Sequence, residues 1–446
     1  MKALSFVNFA LFILVISLLI FLNTNIYSIL FYIILYLILK MNNVGILKKI
    51  REFSFLYFSF MGLLAVFSYL FFCGESFSPY ADDSYYFSNI ETVLSDFYCP
   101  GSTIYEYIVA AFVFPLSFFK TITPTDTLFF NWFIGSIVVY LSLKFSHEFF
   151  PFTSNKIVIF SALLILFNFN FIIGTVHLYR DILMCFFMIL SFVYCVKRKL
   201  KKTVIYAIVT GFVRGANGIL TLLFGFLYSW KNLSKSNIIK FVLGLFVLFI
   251  LSDSFVGYSA YLRSFNKNDS DNRGISQRIM ERQEFFVESG EASGVLKMLQ
   301  SNNIVIKLSV LPIYMLSPFK VGELVRTEKY EKYNEKSFIV TRVKIELLWE
   351  IISVYFYSFF IIPLFYGCYY IARYGTSKEF IVLVILLICL ASVAYISMQH
   401  RHKMAFILFY PFIYNAFCKY SKFSKANLKI ATLSTFFLIL IYNFFK

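Results

Sequence analysis

Four short polar stretches interrupt an otherwise apolar chain, and their residue types are those of acid–base and anion chemistry. ADDSYYF holds the adjacent carboxylates Asp82 and Asp83. HLYRD, 177–181, holds His177, Arg180 and Asp181. VRGANG, 213–218, holds Arg214 and Asn217. QHRHKM, 399–404, holds Arg401, His402 and Lys403. A carboxylate or imidazole can take the proton from an attacking hydroxyl. Arg and Lys can clamp a phosphate or pyrophosphate, Arg through a planar fork of donors. Asp82, Asp83 and Asp181 are therefore candidate catalytic residues. Arg180, Arg214, Arg401, His402 and Lys403 are candidate phosphate ligands, and His177 and Asn217 candidate substrate contacts. Each also has an ordinary reading. The Asp82–Asp83 pair would serve as a solvated loop or a helix N-cap, and Arg180–Asp181 as a local ion pair. Arg214 would hydrogen-bond between helices, and the 401–403 cations would snorkel to an interface.

Several chemistries are not indicated. No Walker or dinucleotide glycine pattern occurs, so ATP or a sugar nucleotide is not expected. The net charge of +17 could suggest nucleic acid. The cations, however, gather in short loops between hydrophobic segments, where membrane topology explains them, so no nucleic-acid partner is expected. The seven cysteines show no metal-ligand spacing; Cys73 and Cys99 flank one loop and could pair there. No obligatory cofactor is expected, and Asp82–Asp83 is the one place that could take a divalent metal.

The elements that must position these groups are membrane helices. Hydrophobic residues make up 59% of the chain and charged residues 15%, against about 25% charged in a soluble domain. Apolar stretches of spanning length recur, which predicts an all-α polytopic membrane protein with about 11–13 transmembrane or re-entrant helices. The run KRKLKK, 197–202, anchors the topology, because basic loops stay cytoplasmic. Residues 74–126 contain seven acids and one base, Lys120, and read as an outer loop. Its apolar piece 107–119 holds Pro115 in its middle. Counting it as a span would put KRKLKK outside, so it reads as a helix lying along the outer interface.

Further along, 156–175 and 346–370 read as single spans. Segments 203–213 and 217–230 are too short to cross about 30 Å of hydrocarbon. They read as a hairpin with RGANG at its tip, buried towards the outer half. An Arg there costs about 2.5–3.5 kcal/mol on insertion scales. The chain divides into 1–53, an N-terminal hairpin and cytoplasmic loop; 54–257, a membrane core with the outer loop 74–126; 258–345, one long extracytoplasmic loop; and 346–446, a C-terminal bundle. In this topology all four polar stretches face outward.

The order DDSYYF, then STIYEYIVAAFVFPLSFF, then two spans closed by a YRD turn resembles the N-terminal half of the GT-C superfamily of polyprenyl-linked glycosyltransferases. VRGANG resembles that class's Arg-Pro-Asn-Gly re-entrant element, with Gly215–Ala216 where Pro is common. QHRHKMAFILFYPF resembles its late RHR…P segment, with Pro411 at the expected remove, and LSPFK before IELLWE resembles members from bacterial surface-polysaccharide clusters. The extra N-terminal hairpin and the single long loop 258–345 are similar to O-antigen (Wzy-type) polymerases. The resemblance implies a GT-C-like fold in a bacterial inner membrane with its site facing the periplasm. It implies a lipid-linked oligosaccharide substrate on undecaprenyl pyrophosphate, and a chain-length regulator protein as a candidate partner. Arg214, Arg401 and Arg180 would stabilise the leaving pyrophosphate, and Asp82 or Asp83 would act as base or orient the acceptor. Transfer of a single sugar from a polyprenyl phosphate, or flipping of a lipid-linked glycan, remain alternatives.

Overall fold

The computed structural model describes residues 2–22, 24–41, 47–66, 81–99, 103–229, 349, 351–396, 404–421 and 425–444. Among these residues helix is the regular structure and no strand occurs. The elements are α1 (Lys2–Phe21), α2 (Ile26–Met41), α3 (Leu47–Ala65), α4 (Ala81–Asp96), α5 (Ile104–Ser117), α6 (Pro124–Phe149), α7 (Asn155–Leu166), α8 (Phe169–Val176), α9 (Asp181–Val196), α10 (Leu200–Val213) and α11 (Gly215–Ser229). After these come α12 (Ile351–Ser358), α13 (Ile361–Tyr374), α14 (Ser377–Ile396), α15 (Met404–Ile407), α16 (Tyr410–Tyr420) and α17 (Lys425–Phe444). By length and composition two helices, Leu4–Phe21 and Pro124–Phe149, can cross a membrane, or up to four if each bent pair is one span. The protein thus has the make-up of an α-helical membrane protein. The long loop 258–345 lies outside the described residues.

The segments expected at 156–175 and 346–370 are not straight. The first is two helices, α7 and α8, meeting at 59°, and the second is α12 and α13, meeting at 52°. A break frees backbone groups that an apolar layer cannot hydrate, and at the first break side chains take them up. The Tyr357 hydroxyl donates to the Leu164 carbonyl and accepts from Asn168 Nδ2 at 3.0 Å; Phe169 N–H donates to Ser353 Oγ at 3.2 Å.

The chain forms two compact units. One contains residues 1–145 and 171–267, the other residues 146–170 and 343–446, with the remainder outside the described residues. The first has an aromatic core of Tyr32, Tyr57, Phe58, Phe129 and Trp132, all fully buried. The Tyr57 hydroxyl pairs with Thr175 Oγ1 at 2.6 Å, which satisfies both inside that core. In the second unit Asn415 bridges Ser146 at 2.5 Å and Ser161 at 3.1 Å. Gly367 lies against the Ile413 carbonyl there, where any β-carbon would fall.

The fold bears on the 107–119 piece directly. Pro115 does not break it: α5 runs from Ile104 to Ser117, opened by a capping box of Thr103 and Glu106. Both ends of α5 address the first turns of α6. Tyr105 Oη donates to Asn131 Oδ1 at 3.0 Å, while Lys120, just past the other end, pairs with Asp126 at 2.8 Å. Fourteen residues of helix are about 21 Å long, whereas Asp126 to Asn131 rise only about 7–8 Å along α6. So α5 lies across α6 and does not run beside it. Lys120 also donates to Ser28 Oγ at 2.8 Å, which brings the α1–α2 turn to the same end.

Candidate functional site

The RGANG tip is tighter than expected. Only Arg214 leaves helical geometry, at φ −151° and ψ 106°, and its two backbone groups close the helices on either side. Its N–H donates to Thr210 O at 2.8 Å, and its carbonyl accepts from Asn217 N at 3.1 Å and Gly218 N at 3.2 Å. This tight return requires glycine, because a β-carbon on Gly218 would fall on the Cα of Gly211 in α10.

The turn aims the Arg214 side chain at the HLYRD segment. Arg214 Nη2 lies 2.8 Å from Asp181 Oδ1, with the carboxylate almost wholly buried and the guanidinium one-fifth exposed. Asp181 is the first residue of α9, where a negative charge also meets the positive end of the helix. Asn217 Nδ2 approaches Met184 Sδ at 3.0 Å, one turn into the same helix. The ordinary reading of Arg180–Asp181 as a local ion pair does not hold, since Asp181 pairs with Arg214. Arg180 is half-buried and, among the described residues, has no ion partner.

Two residues that sequence reasoning passed over hold this turn in place. Asn131 Nδ2 donates to the His177 carbonyl at 2.6 Å and lies 3.5 Å from the Tyr179 carbonyl, while its Oδ1 accepts from Tyr105. All three of Tyr105, Asn131 and His177 are fully buried. His177 therefore contributes through its backbone, and its ring stacks on Tyr179 at 5.3 Å. That overturns the expectation of a substrate-contacting imidazole: a side chain sealed from solvent has no face left for a ligand. The signal for Asn131 was an amide within the apolar run TLFFNWFIG, and for Tyr105 its place in a capping segment.

The acidic motif joins the same cluster through its aromatic residues. Asp82 and Asp83 stand in the first turn of α4, one helical turn ahead of Tyr86. The Tyr86 ring meets Tyr105 edge-on at 5.4 Å. A continuous path thus leads from α4 through Tyr86, Tyr105 and Asn131 to the turn carrying Arg180 and Asp181, then across the ion pair to Arg214. The side chains of Asp82 and Asp83, and the residues Arg401, His402 and Lys403, lie outside the described residues, as does a pairing of Cys73 with Cys99. Among the described residues no cluster of His, Cys, Asp and Glu could hold a metal.

Glu106 is the other buried carboxylate nearby. Its Oε2 accepts from Thr103 N–H at 2.8 Å and from the Thr103 hydroxyl, and its Oε1 from Asn89 at 3.4 Å. Burial pushes its pKa above the usual carboxylate range despite those donors. Its role is to pin α4 to α5.

Chemically, the cluster offers one cation with no ion partner among the described residues, a second cation held by a buried carboxylate, and a buried hydrogen-bonded support behind the turn. That suits an anionic group with more than one charged oxygen. No protein-family model, curated protein or solved structure matches the chain.

Proposed function

We propose that this protein is a membrane glycosyltransferase that polymerises oligosaccharide repeat units carried on undecaprenyl pyrophosphate, on the outer face of a bacterial inner membrane. The observation that carries the reading is the meeting of Asp181 and Arg214 at 2.8 Å, with Arg180 next to Asp181 in the chain. Arg180 and Arg214 would take the pyrophosphate of the departing chain, where charge develops as the glycosidic bond breaks. Asp181 keeps the Arg214 fork oriented and is too enclosed to serve as a base. The base would be Asp82 or Asp83 in the first turn of α4, a reading supported by the contact of Tyr86, one turn on, with Tyr105. Arg401, His402 and Lys403 would contribute further phosphate contacts, and the 258–345 loop would select the glycan.

The test is deletion of the gene in its host, with surface glycan resolved on a gel. Loss of the length ladder with a single repeat remaining establishes the polymerase, and an unchanged ladder overturns it. A ladder shifted by one sugar per repeat identifies a single-sugar transferase instead, and loss of even the single repeat identifies a flippase.

A further inference from the structure

The outer end of the first unit carries an aromatic patch that the proposed site does not use. The chain leaves α4 through Phe97, whose φ of 55° lies in the left-handed region. That conformation costs an L-residue about 1–2 kcal/mol, and at a helix C-terminus it is ordinarily given to Gly or Asn. Here a phenylalanine takes it and is left 74% exposed. The turn brings the Phe97 ring within 6.5 Å of Phe114 on α5, which in turn meets Phe118 at 4.9 Å. Phe118 and Phe119 are 72% and 63% exposed. Meanwhile the opposite side of α5, with Val109, Val113 and Leu116, is buried. So α5 is apolar on both sides, and among the described residues only one side is buried.

Two observations identify what covers the other. The patch is continuous with the open face of α2: Tyr27 stacks on Phe119 at 5.2 Å, and Leu30, Ile34, Leu37 and Ile38 continue it along the helix. The second is depth. Helix α6 has 26 residues and is about 39 Å long, some 9 Å more than a hydrocarbon layer of about 30 Å. Because α5 crosses the first turns of α6, it lies at one end of that helix, where an excess of length would leave the hydrocarbon layer. Phenylalanine and tyrosine beside such a boundary suit an aromatic belt.

We propose that Phe97, Phe114, Phe118 and Phe119 form an interfacial anchor whose partner is the phospholipid leaflet itself. They insert at the headgroup–acyl boundary and fix the depth of the α4–α5 pair. The left-handed turn at Phe97 is retained because it aims that ring at the lipid. This inference is independent of the reaction proposed above.

Photocrosslinking of the full-length protein tests it. p-Benzoylphenylalanine replaces Phe97, Phe118 or Phe119 in turn, with Ile34 on the open face of α2 and exposed Glu91 on α4 as references. The protein is reconstituted in vesicles of phosphatidylethanolamine and phosphatidylglycerol, irradiated, and analysed by mass spectrometry. Phospholipid adducts at 118 and 119 should match those at 34 within about threefold and exceed those at 91 by about tenfold. Adducts to another part of the chain or to a second copy overturn the proposal, as does absence of adducts where position 34 gives them. If the left-handed position rejects the bulkier ring, 118 and 119 decide the matter.

Discussion

At the scale of single residues, the pair of Arg214 and Asp181 is asymmetric, and the asymmetry is measurable. Removing the guanidinium by Arg214→Ala strands a carboxylate that has almost no exposure, a loss on the order of 3–5 kcal/mol. Removing the carboxylate by Asp181→Ala leaves a guanidinium that already reaches solvent, so the loss is smaller. Thermal unfolding of purified protein should therefore rank Arg214→Ala as the more damaging single change. The double variant should be more stable than Arg214→Ala alone, and independent, additive losses would show that the pair is not coupled. Asn131 gives a second expectation at this scale. Asn131→Leu keeps the volume but removes an acceptor of the Tyr105 hydroxyl and one donor to the turn, costing about 1–3 kcal/mol. Tyr105→Phe should cost less in that background than in the wild type, because the bond the two residues share is already gone; melting of the single and double variants checks this.

Individual helices present a different balance of what could be read in advance. The hairpin around residue 214 was legible, because short-range chemistry sets it. The breaks at 167–168 and 359–360 were not legible. Both fall inside runs of apolar residues, and what permits the first is a distant hydroxyl, Tyr357, bonded to Leu164 and Asn168. No local pattern announces such a partner. Two expectations belong to this scale. Gly218→Ala puts a β-carbon on Gly211 and must separate α10 from α11, a strain of about 1–3 kcal/mol; a lowered melting temperature checks it, while Ala at exposed Ser95 should leave it unchanged. Glu106 yields a pH dependence. Its folded-state pKa is raised by burial, so the fold binds its proton more tightly than the unfolded chain does. Stability from this group is full below the ordinary carboxylate pKa and is lost as pH rises through the raised value. Glu106→Gln keeps the capping geometry without the charge. Its melting temperature relative to wild type should therefore climb between mildly acidic and neutral pH and converge with it in acid.

For the whole molecule, composition announced helices in a membrane, and the structure agrees among the described residues. Their number was harder to read, because several apolar runs are bent or shorter than a full crossing. HLYRD and VRGANG were expected to share one face, with no contact between them foreseen. Which partners meet was not legible: Arg180 was set against Asp181 by adjacency, whereas Arg214 makes the contact. Side-chain direction decides that, and one sequence step turns it by about 100° around a helix. The proposed topology has its own test. Reporter fusions ending at Thr121 and Leu178 should be active outside the inner membrane, and a fusion ending at Lys199 should be active inside. A fusion ending at Ser95, ahead of α5, should report the same side as Thr121, and opposite sidedness at 95 and 121 would make α5 a crossing helix.

The ion pair between α9 and the hairpin tip also has a consequence for how the protein is made. Asp181 is synthesised and emerges ahead of Arg214, with the rest of α9 and all of α10 between them. At about 5–20 residues per second, that carboxylate waits seconds for its counter-charge. During that interval the nascent chain carries an unmatched charge that is cheapest to leave outside the lipid. The hairpin's arrival neutralises it, so lateral release of α9 from the insertion machinery and entry of the hairpin become one coupled late event of biogenesis.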